Sequence, residues 1–202
     1  MSKNQRTREA IKSAFLNLIK EADMDSINTK DIMEIAGGAR SNFYNYFSDK
    51  FDLRNAIMQD ELKVTERLLN SFFRENDKLL NEEKVLALNT IRFDHIYESR
   101  ELYKALFTAE CFRGFPEMLR ETMEKGLSYR FQMILGENTK IPVNASFRSY
   151  MMSSLFVSTV AYWALTDFSR HRNVSAGIIR CTSCPVSARK LLTRFKLHRP
   201  VR

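Results

Sequence analysis

The side chains best suited to chemistry in this sequence are hydrogen-bond donors and cations that gather between residues 29 and 50. Arginine and asparagine make paired hydrogen bonds to base edges, whereas lysine, tyrosine and threonine commonly contact the nucleic-acid backbone. We predict a base-reading group composed of Arg40, Ser41, Asn42 and Asn45. We predict a second group that meets the backbone or flanking groups, composed of Thr29, Lys30, Tyr44, Tyr46 and Lys50.

A short helix must position the first of these side chains. Asn28 suits an N-cap, and Asp31 then falls at the third helical position, as in a capping box, so the helix is predicted to begin at Thr29. Its apolar stripe is predicted to be Ile32, Ile35 and Ala36. Gly37 should end the helix in left-handed backbone.

A second short helix should follow the turn at Gly37 and Gly38. Phe43 and Phe47 lie four residues apart and should face inward, which leaves the polar side chains outside. An amphipathic helix from about Arg6 to Ala22 would pack across both short helices. The pattern therefore predicts a helix-turn-helix, in which the second helix presents donors to a groove of DNA.

The order of these residues resembles a known signature. The run I-N-T-K-D-I-x-x-I-A-G, then R-S-N-F-Y-N-Y-F, then S-D-K-x-x-L is similar to the DNA-binding signature of the TetR family of transcriptional regulators, over residues 6–57. The resemblance implies a homodimeric regulator that binds a palindromic operator on double-stranded DNA, and a repressor that a small molecule releases. Three positions depart from the family pattern: Gly38 replaces a buried valine, Met33 an alanine, and Ala39 a serine-like cap.

Composition predicts the fold class. The 202 residues include only 6 glycines and 4 prolines, which favours long helices, and 44% of them are hydrophobic. We expect an all-α protein with a three-helix helix-turn-helix DNA-binding domain at residues 1–50. A larger helical ligand-binding and dimerisation domain is expected at 51–169, followed by a basic, divergent tail at 170–202.

Large apolar residues are concentrated in the middle of the chain, where the family resemblance implies a cavity for a small hydrophobic effector. The candidate lining residues are His95, Tyr103, Phe107, Phe112, Met123, Phe156 and Trp163. For His95 the alternative is a core histidine with a hydrogen-bond partner. For the whole chain the alternative is a DNA-binding regulator that answers to a protein partner and has no effector pocket.

The segment Ser149–Thr166 contains no charged residue over eighteen positions. That length reaches the lower limit for a membrane span, but serines and threonines interrupt it and no second such segment exists. A helix that is apolar on most of its surface is more often buried between its own domain and a partner. We therefore predict a dimer interface and no membrane association.

The cysteines and histidines offer little chemistry. Cys181 and Cys184 form a C-x-x-C pair, but zinc needs two more ligands, and only His171 and His198 lie near in sequence. Glycine-rich phosphate loops, nucleophile elbows and zinc-protease motifs are lacking. We therefore predict neither metal nor cofactor and no enzyme activity. The three cysteines and the charged N-terminal stretch favour a cytoplasmic protein.

The net charge of +8 comes from the end of the chain. No acidic residue follows Asp167, whereas the basic residues there are Arg170, Arg172, Arg180, Arg189, Lys190, Arg194, Lys196, Arg199 and Arg202. Such a tail either contacts phosphates without sequence preference or is a loose end whose charge keeps it soluble.

Overall fold

The computed structural model describes residues 2–72, 82–135 and 144–169. Within these ranges every regular element is helical, which confirms the all-α prediction. The elements are α1 (Lys3–Leu18), α2 (Thr29–Ala36), α3 (Arg40–Phe43), α4 (Lys50–Phe72), α5 (Glu82–Glu98), α6 (Arg100–Thr108), a 3₁₀ turn (Glu110–Phe112), α7 (Phe115–Leu135) and α8 (Ala145–Leu165).

Helix α1 begins three residues earlier and ends four residues earlier than the predicted span of Arg6 to Ala22. It begins early because the Ser2 hydroxyl accepts a hydrogen bond from the Gln5 backbone N–H at 3.2 Å, an N-cap that the sequence analysis did not identify. The side chains of Ile11 and Phe15 are fully buried, so the predicted inward face of this helix is confirmed at these two positions.

The predicted cap of α2 is confirmed. Asn28 Oδ1 accepts hydrogen bonds from the backbone N–H groups of Lys30 and Asp31 at 2.9 and 3.1 Å. The Asp31 carboxylate in turn accepts from the Asn28 N–H at 3.1 Å, which completes a capping box. Gly37 ends the helix at a φ of 75°, the left-handed conformation that glycine adopts without steric cost.

The predicted apolar stripe of α2 is wrong at one position, because Ile35 is 52% exposed and Met33 is buried in its place. Met33 extends under the turn: a Cβ atom added at Gly38 would lie 2.6 Å from Met33 Cε. The long methionine thus occupies the space that a side chain at position 38 would need. The two departures from the family pattern, at positions 33 and 38, therefore compensate for one another.

Helix α3 is a single turn, shorter than the predicted second helix, and Ala39 provides no side-chain cap. Phe43 and Phe47 are nonetheless buried as predicted, with ring centroids 5.8 Å apart. The turn that follows α3 keeps Phe47 on the inner face, because the backbone N–H of Phe47 donates a hydrogen bond to the Phe43 carbonyl, as it would in a continuing helix.

Helix α4 runs without interruption from Lys50 to Phe72 and crosses the predicted domain boundary at residue 50. The Asp49 carboxylate accepts from the Asp52 N–H at 2.7 Å at the start of the helix, while the Ser48 N–H and hydroxyl both donate to Asp52. The division into 1–50, 51–169 and 170–202 stays a prediction, and residues 170–202 lie outside the described residues.

In the larger helical part, α7 packs against both α4 and α8. Helices α4 and α7 approach closely at Gly126, where an added Cβ atom would lie 3.0 Å from Leu69 Cδ1. Helix α8 begins at the predicted cap Asn144, whose side chain accepts from the Ser146 N–H at 2.9 Å. None of the helices in the described ranges combines the length and hydropathy that crossing a membrane requires.

Candidate DNA-binding surface and effector site

The polar side chains of α2, α3 and the following turn form one outward surface above the buried Phe43 and Phe47. Arg40, Ser41, Asn42, Asn45, Tyr44 and Lys30 are exposed, while Thr29 and Tyr46 are half-buried. Eight of the nine predicted residues are therefore at least partly exposed on the helix-turn-helix. Their contacts with DNA stay a prediction.

Tyr44 connects the two helices of this surface. Its hydroxyl lies 3.5 Å from Thr29 Oγ1 and accepts a hydrogen bond from Arg40 Nη2 at 3.4 Å. The hydrogen bonds with Thr29 and then with Arg40 lower the pKa of Tyr44 below its usual range. Three predicted contact residues are thus oriented by one another before any ligand binds.

The cations of this surface are available to an anion. Among the residues that the structure describes, no carboxylate lies within ion-pair distance of Arg40 or Lys30. An exposed guanidinium can donate two parallel hydrogen bonds, the geometry that recognises guanine or a phosphate.

Lys50 differs from the other eight residues. Its ammonium group donates hydrogen bonds to the backbone carbonyls of Met24, Asp25 and Ile27 at 2.8, 3.0 and 2.9 Å. An ammonium has three N–H donors, so all of them have partners within the protein. The first residue of α4 therefore holds the loop between α1 and α2. The predicted contact of Lys50 with the DNA backbone stays a prediction, without support from this geometry.

An ionic cluster joins α1 to α4. Asp60 Oδ2 accepts from Arg8 at 2.5 Å and from the almost fully buried Lys12 at 2.7 Å, and Lys12 also contacts Glu9 at 2.7 Å. Burial of the Asp60 carboxyl opposes ionisation, but the hydrogen bonds from Lys12 and Arg8 together lower its pKa. Arg8 is therefore engaged by α4.

Two further contacts connect α1 and the loop after it to α6 and the 3₁₀ turn. Phe15 of α1 and Phe112 of the 3₁₀ turn meet edge to face, with ring centroids 6.4 Å apart, and both are fully buried. Lys20 and Glu101 form an ion pair at 2.7 Å. Phe112, predicted to line an effector cavity, thus lies in the contact between the helix-turn-helix part and the larger helical part.

The other predicted effector residues lie within the larger helical part. Tyr103 and Phe107 stack at a centroid distance of 6.3 Å. Phe156 and Trp163 of α8 each pack against Phe93, at 5.4 and 5.9 Å. These aromatic side chains pack against one another in the apolar interior, and the role of the set in ligand binding stays a prediction.

A polar network crosses this apolar interior. Glu61 Oε1 of α4 lies 2.7 Å from His95 Nε2 of α5 and accepts a hydrogen bond from the Tyr103 hydroxyl of α6, also at 2.7 Å. The hydrogen bond to Glu61 raises the pKa of His95. Burial, followed by the Glu61 charge, raises the pKa of Tyr103 well above its usual range. His95 thus has the hydrogen-bond partner expected of a core histidine, and that partner is a buried carboxylate.

Sequence analysis missed Glu61 and Arg92. Arg92 of α5 is 5% exposed; its Nη2 donates to Met123 Sδ at 2.8 Å and its Cζ lies 3.7 Å from the centre of the Phe156 ring. Both residues stand in helices with ordinary charged neighbours, so the sequence pattern does not separate them from solvated charges. The unusually inward direction of their side chains follows from how α4, α5 and α6 pack.

A cleft of about 980 Å³ lies elsewhere, between α1, α4 and the junction of α5 and α6. Its walls are mainly charged and include Arg8, Lys12, Asp60 and Glu61, and none of the seven predicted effector residues lines it. Glu61 borders both this cleft and the buried network.

In the described ranges no group of three or more histidine, cysteine or acidic residues has the geometry of a metal site. Cys181 and Cys184 lie outside these ranges.

Comparisons with known proteins agree on the fold. No family model matches the chain. Over 106 residues it is 29% identical to the HTH-type transcriptional regulator YxbF of Bacillus subtilis (strain 168), a match that covers 52% of this chain and 27% of that protein. A TetR-family transcriptional regulator from Syntrophomonas wolfei superposes with a TM-score of 0.66 at 17% identity, over 96% of this chain and 98% of that one. The transcriptional regulator FadR from Bacillus subtilis, solved in complex with stearoyl-CoA, superposes with a TM-score of 0.65 at 16% identity, over 87% and 97% of the two chains.

The two solved structures superpose on this chain over nearly their full length, whereas the match to the curated relative spans about a quarter of that protein. This agreement confirms the resemblance first seen in residues 6–57. The chain has the fold of the TetR-family transcriptional regulators.

Proposed function

We propose that this chain is a homodimeric, sequence-specific DNA-binding transcriptional regulator, and specifically a repressor that a small-molecule effector releases from its operator. One observation carries the proposal: α3 and the turn after it expose Arg40, Asn42 and Asn45 while Phe43 and Phe47 are buried, and Arg40 and Lys30 have no acidic partner among the described residues. The regulators with this fold support it.

Direct base recognition is assigned to α3. Its single turn presents Arg40, Ser41 and Asn42 at the helix N-terminus, and Asn45 follows on the same side. Helix-turn-helix proteins place such N-terminal residues against base edges in the major groove. Thr29, Lys30, Tyr44 and Tyr46 would flank them and meet phosphates, which fixes the register of α3 in the groove.

The outer face of α8 supports the proposal of a homodimer. Phe147, Met151, Leu155, Tyr162 and Leu165 are all exposed and, at about 100° per residue, fall within roughly a quarter of the helix circumference. The opposite face is buried against the rest of the chain. A helix that is buried on one face and carries an exposed apolar stripe on the other suits an isologous dimer interface. A dimer would present two recognition helices, which matches the two half-sites of a palindromic operator.

The contacts between α1 and the larger helical part offer a route for release. An effector that shifts α6 would move Phe112 against Phe15 and Glu101 against Lys20, and would thereby tilt α1 and the recognition helix it supports. The distance between two recognition helices in a dimer would then no longer match the half-site spacing of the operator. If the effector binds the shifted arrangement of α1 more tightly than the DNA-bound one, that difference in affinity is the free energy that couples effector binding to DNA release.

The test begins with selection of DNA sequences by the purified protein. If Arg40 is bidentate to a guanine, Arg40→Ala should cost about 1–3 kcal/mol of binding free energy and relax the preference at one base pair per half-site. The exposed Arg113, which pairs with Glu110 in the 3₁₀ turn, provides the control: Arg113→Ala should leave affinity and preference unchanged. The recognition surface is misassigned if Arg40→Ala also leaves both unchanged.

A regulator that answers to a protein partner is the competing function. A small effector at 100 times its dissociation constant stabilises the folded protein by about 2.7 kcal/mol, so a thermal-shift screen of metabolites detects it. Stabilising compounds that also release the selected DNA would support the effector. A purified protein partner that releases the DNA, with no compound doing so, would support the alternative.

A further inference from the structure

Arg92 is a buried charge without a counter-charge. In the described ranges no carboxylate forms an ion pair with it, and its contacts are a thioether sulfur and an aromatic face. A guanidinium carries five N–H donors, and its removal from water is costly unless acceptors replace the solvent. Burial lowers the pKa of Arg92 to about 10, so the group still carries its charge at neutral pH.

The one acidic group of the neighbouring network is already engaged. Glu61 Oε1 accepts a hydrogen bond from Tyr103 and lies within hydrogen-bond distance of His95, so this carboxylate already has two partners within the network. Tyr103 lies close enough to Arg92 for the two groups to influence one another's ionisation, which places the guanidinium beside the network. The interior of α4, α5 and α6 thus holds one carboxylate with two partners and one guanidinium with no acidic partner.

Apolar side chains surround the guanidinium. Phe156 covers its face and also packs against Phe93, while Met123 contacts its edge. Methionine is unbranched and adaptable, so Met123 can move aside to admit ligand atoms at the donor edge of Arg92. A molecule that fits these surroundings has an apolar body and one anionic group.

We propose that Arg92 binds the carboxylate of a largely apolar small molecule, by two parallel N–H···O hydrogen bonds, with the body of that molecule against Phe93 and Phe156. The planar guanidinium fork matches a carboxylate in geometry, and the low local dielectric strengthens the interaction. The assignment of this molecule as the effector rests on the proposed function, whereas the anion site itself does not.

The first measurement needs no ligand. Arg92→Met replaces the buried charge by an apolar side chain of similar length, a change that is neutral or stabilising where a charge has no counter-charge. The ligand-free variant should therefore unfold in urea at the same or a higher concentration than the unchanged protein. A clear fall in the unfolding midpoint would show that Arg92 serves the fold, and would overturn the proposal.

The second measurement uses matched probes below their micelle concentrations: hexanoate and decanoate, each beside the alcohol of the same chain length. We expect the unchanged protein to bind at least one carboxylate at least tenfold more tightly than its alcohol, and Arg92→Met to lose that preference. Arg100→Met is the control, because Arg100 is an exposed arginine that also stacks on an aromatic ring, that of Tyr97. Equal affinity for acid and alcohol, or a preference that Arg92→Met retains, would overturn the proposal.

Release of the selected DNA is measured separately with the same compounds. Binding through Arg92 without release would establish the anion site and exclude these carboxylates as effectors. Failure to bind any DNA would refute the proposed function and leave the result at Arg92 standing.

Discussion

Lys50→Met separates a structural role from a DNA-binding role at the start of α4. The substitution keeps the apolar length of the side chain and removes the three hydrogen bonds to the carbonyls of Met24, Asp25 and Ile27. These carbonyls belong to the loop that leads into the Asn28 cap of α2. Loss of the ammonium should therefore loosen the approach of α1 to α2.

The expected magnitude follows from the three hydrogen bonds. A hydrogen bond to a charged group contributes about 1.5–3 kcal/mol, but Lys50 is only half-buried, and water can replace part of each bond. We expect the free energy of unfolding to fall by about 2–4 kcal/mol, less than three independent bonds would give.

Urea unfolding and the salt dependence of DNA binding together decide between the two roles. Lys50→Met should lower the unfolding midpoint and leave the slope of log affinity against log salt unchanged at temperatures where the variant is folded. Lys30→Met is the matched control, because Lys30 is exposed and has no described ion-pair partner. It should leave stability unchanged and reduce the slope by about 0.9 for each phosphate that Lys30 neutralises.

The opposite pattern would refute the structural role. If Lys50→Met keeps full stability and reduces the salt slope as Lys30→Met does, its ammonium binds phosphates, and its hydrogen bonds to the carbonyls contribute little.

Three further outcomes are expected from the packing described above. Met33→Ala should cost about 2–5 kcal/mol of unfolding free energy, and Gly38→Val added to it should recover part of that loss by refilling the space, as a double-mutant cycle in urea would show. The pKa of His95 is raised in the folded state, so the stability that its hydrogen bond contributes is fully present below the unfolded pKa of about 6.5 and is lost as pH rises through the folded pKa. Comparison with His95→Gln at pH 6 and pH 9 should thus show the larger difference at pH 6, and an equal difference would contradict the assigned partner. Leu155→Arg on the exposed face of α8 should shift micromolar protein from dimer to monomer in sedimentation, whereas Thr108→Arg should not; a dimeric Leu155→Arg variant would exclude this face as the interface.

Local features of this protein could be predicted from the sequence. The capping box of Asn28 and Asp31 and the left-handed Gly37 involve residues within a few positions of each other, so their side chains specify the backbone directly. The burial of Phe43 and Phe47 could be predicted for the same reason, since helical spacing alone puts these two side chains on one face. Because Phe43 and Phe47 face inward, Arg40 is left exposed to solvent.

The tertiary structure decided the features that join distant positions. Lys50 meets Met24 across 26 residues, Glu61 meets His95 across 34, and Arg92 meets Met123 across 31. In sequence each of these charged residues has the pattern of a solvated helix surface, and only the packing of other helices around it removes the water. An isolated helix does not determine which of its faces will be covered. The sequence therefore specified the local caps and turns of the candidate recognition surface, whereas the packing of the helices specified which charges are buried.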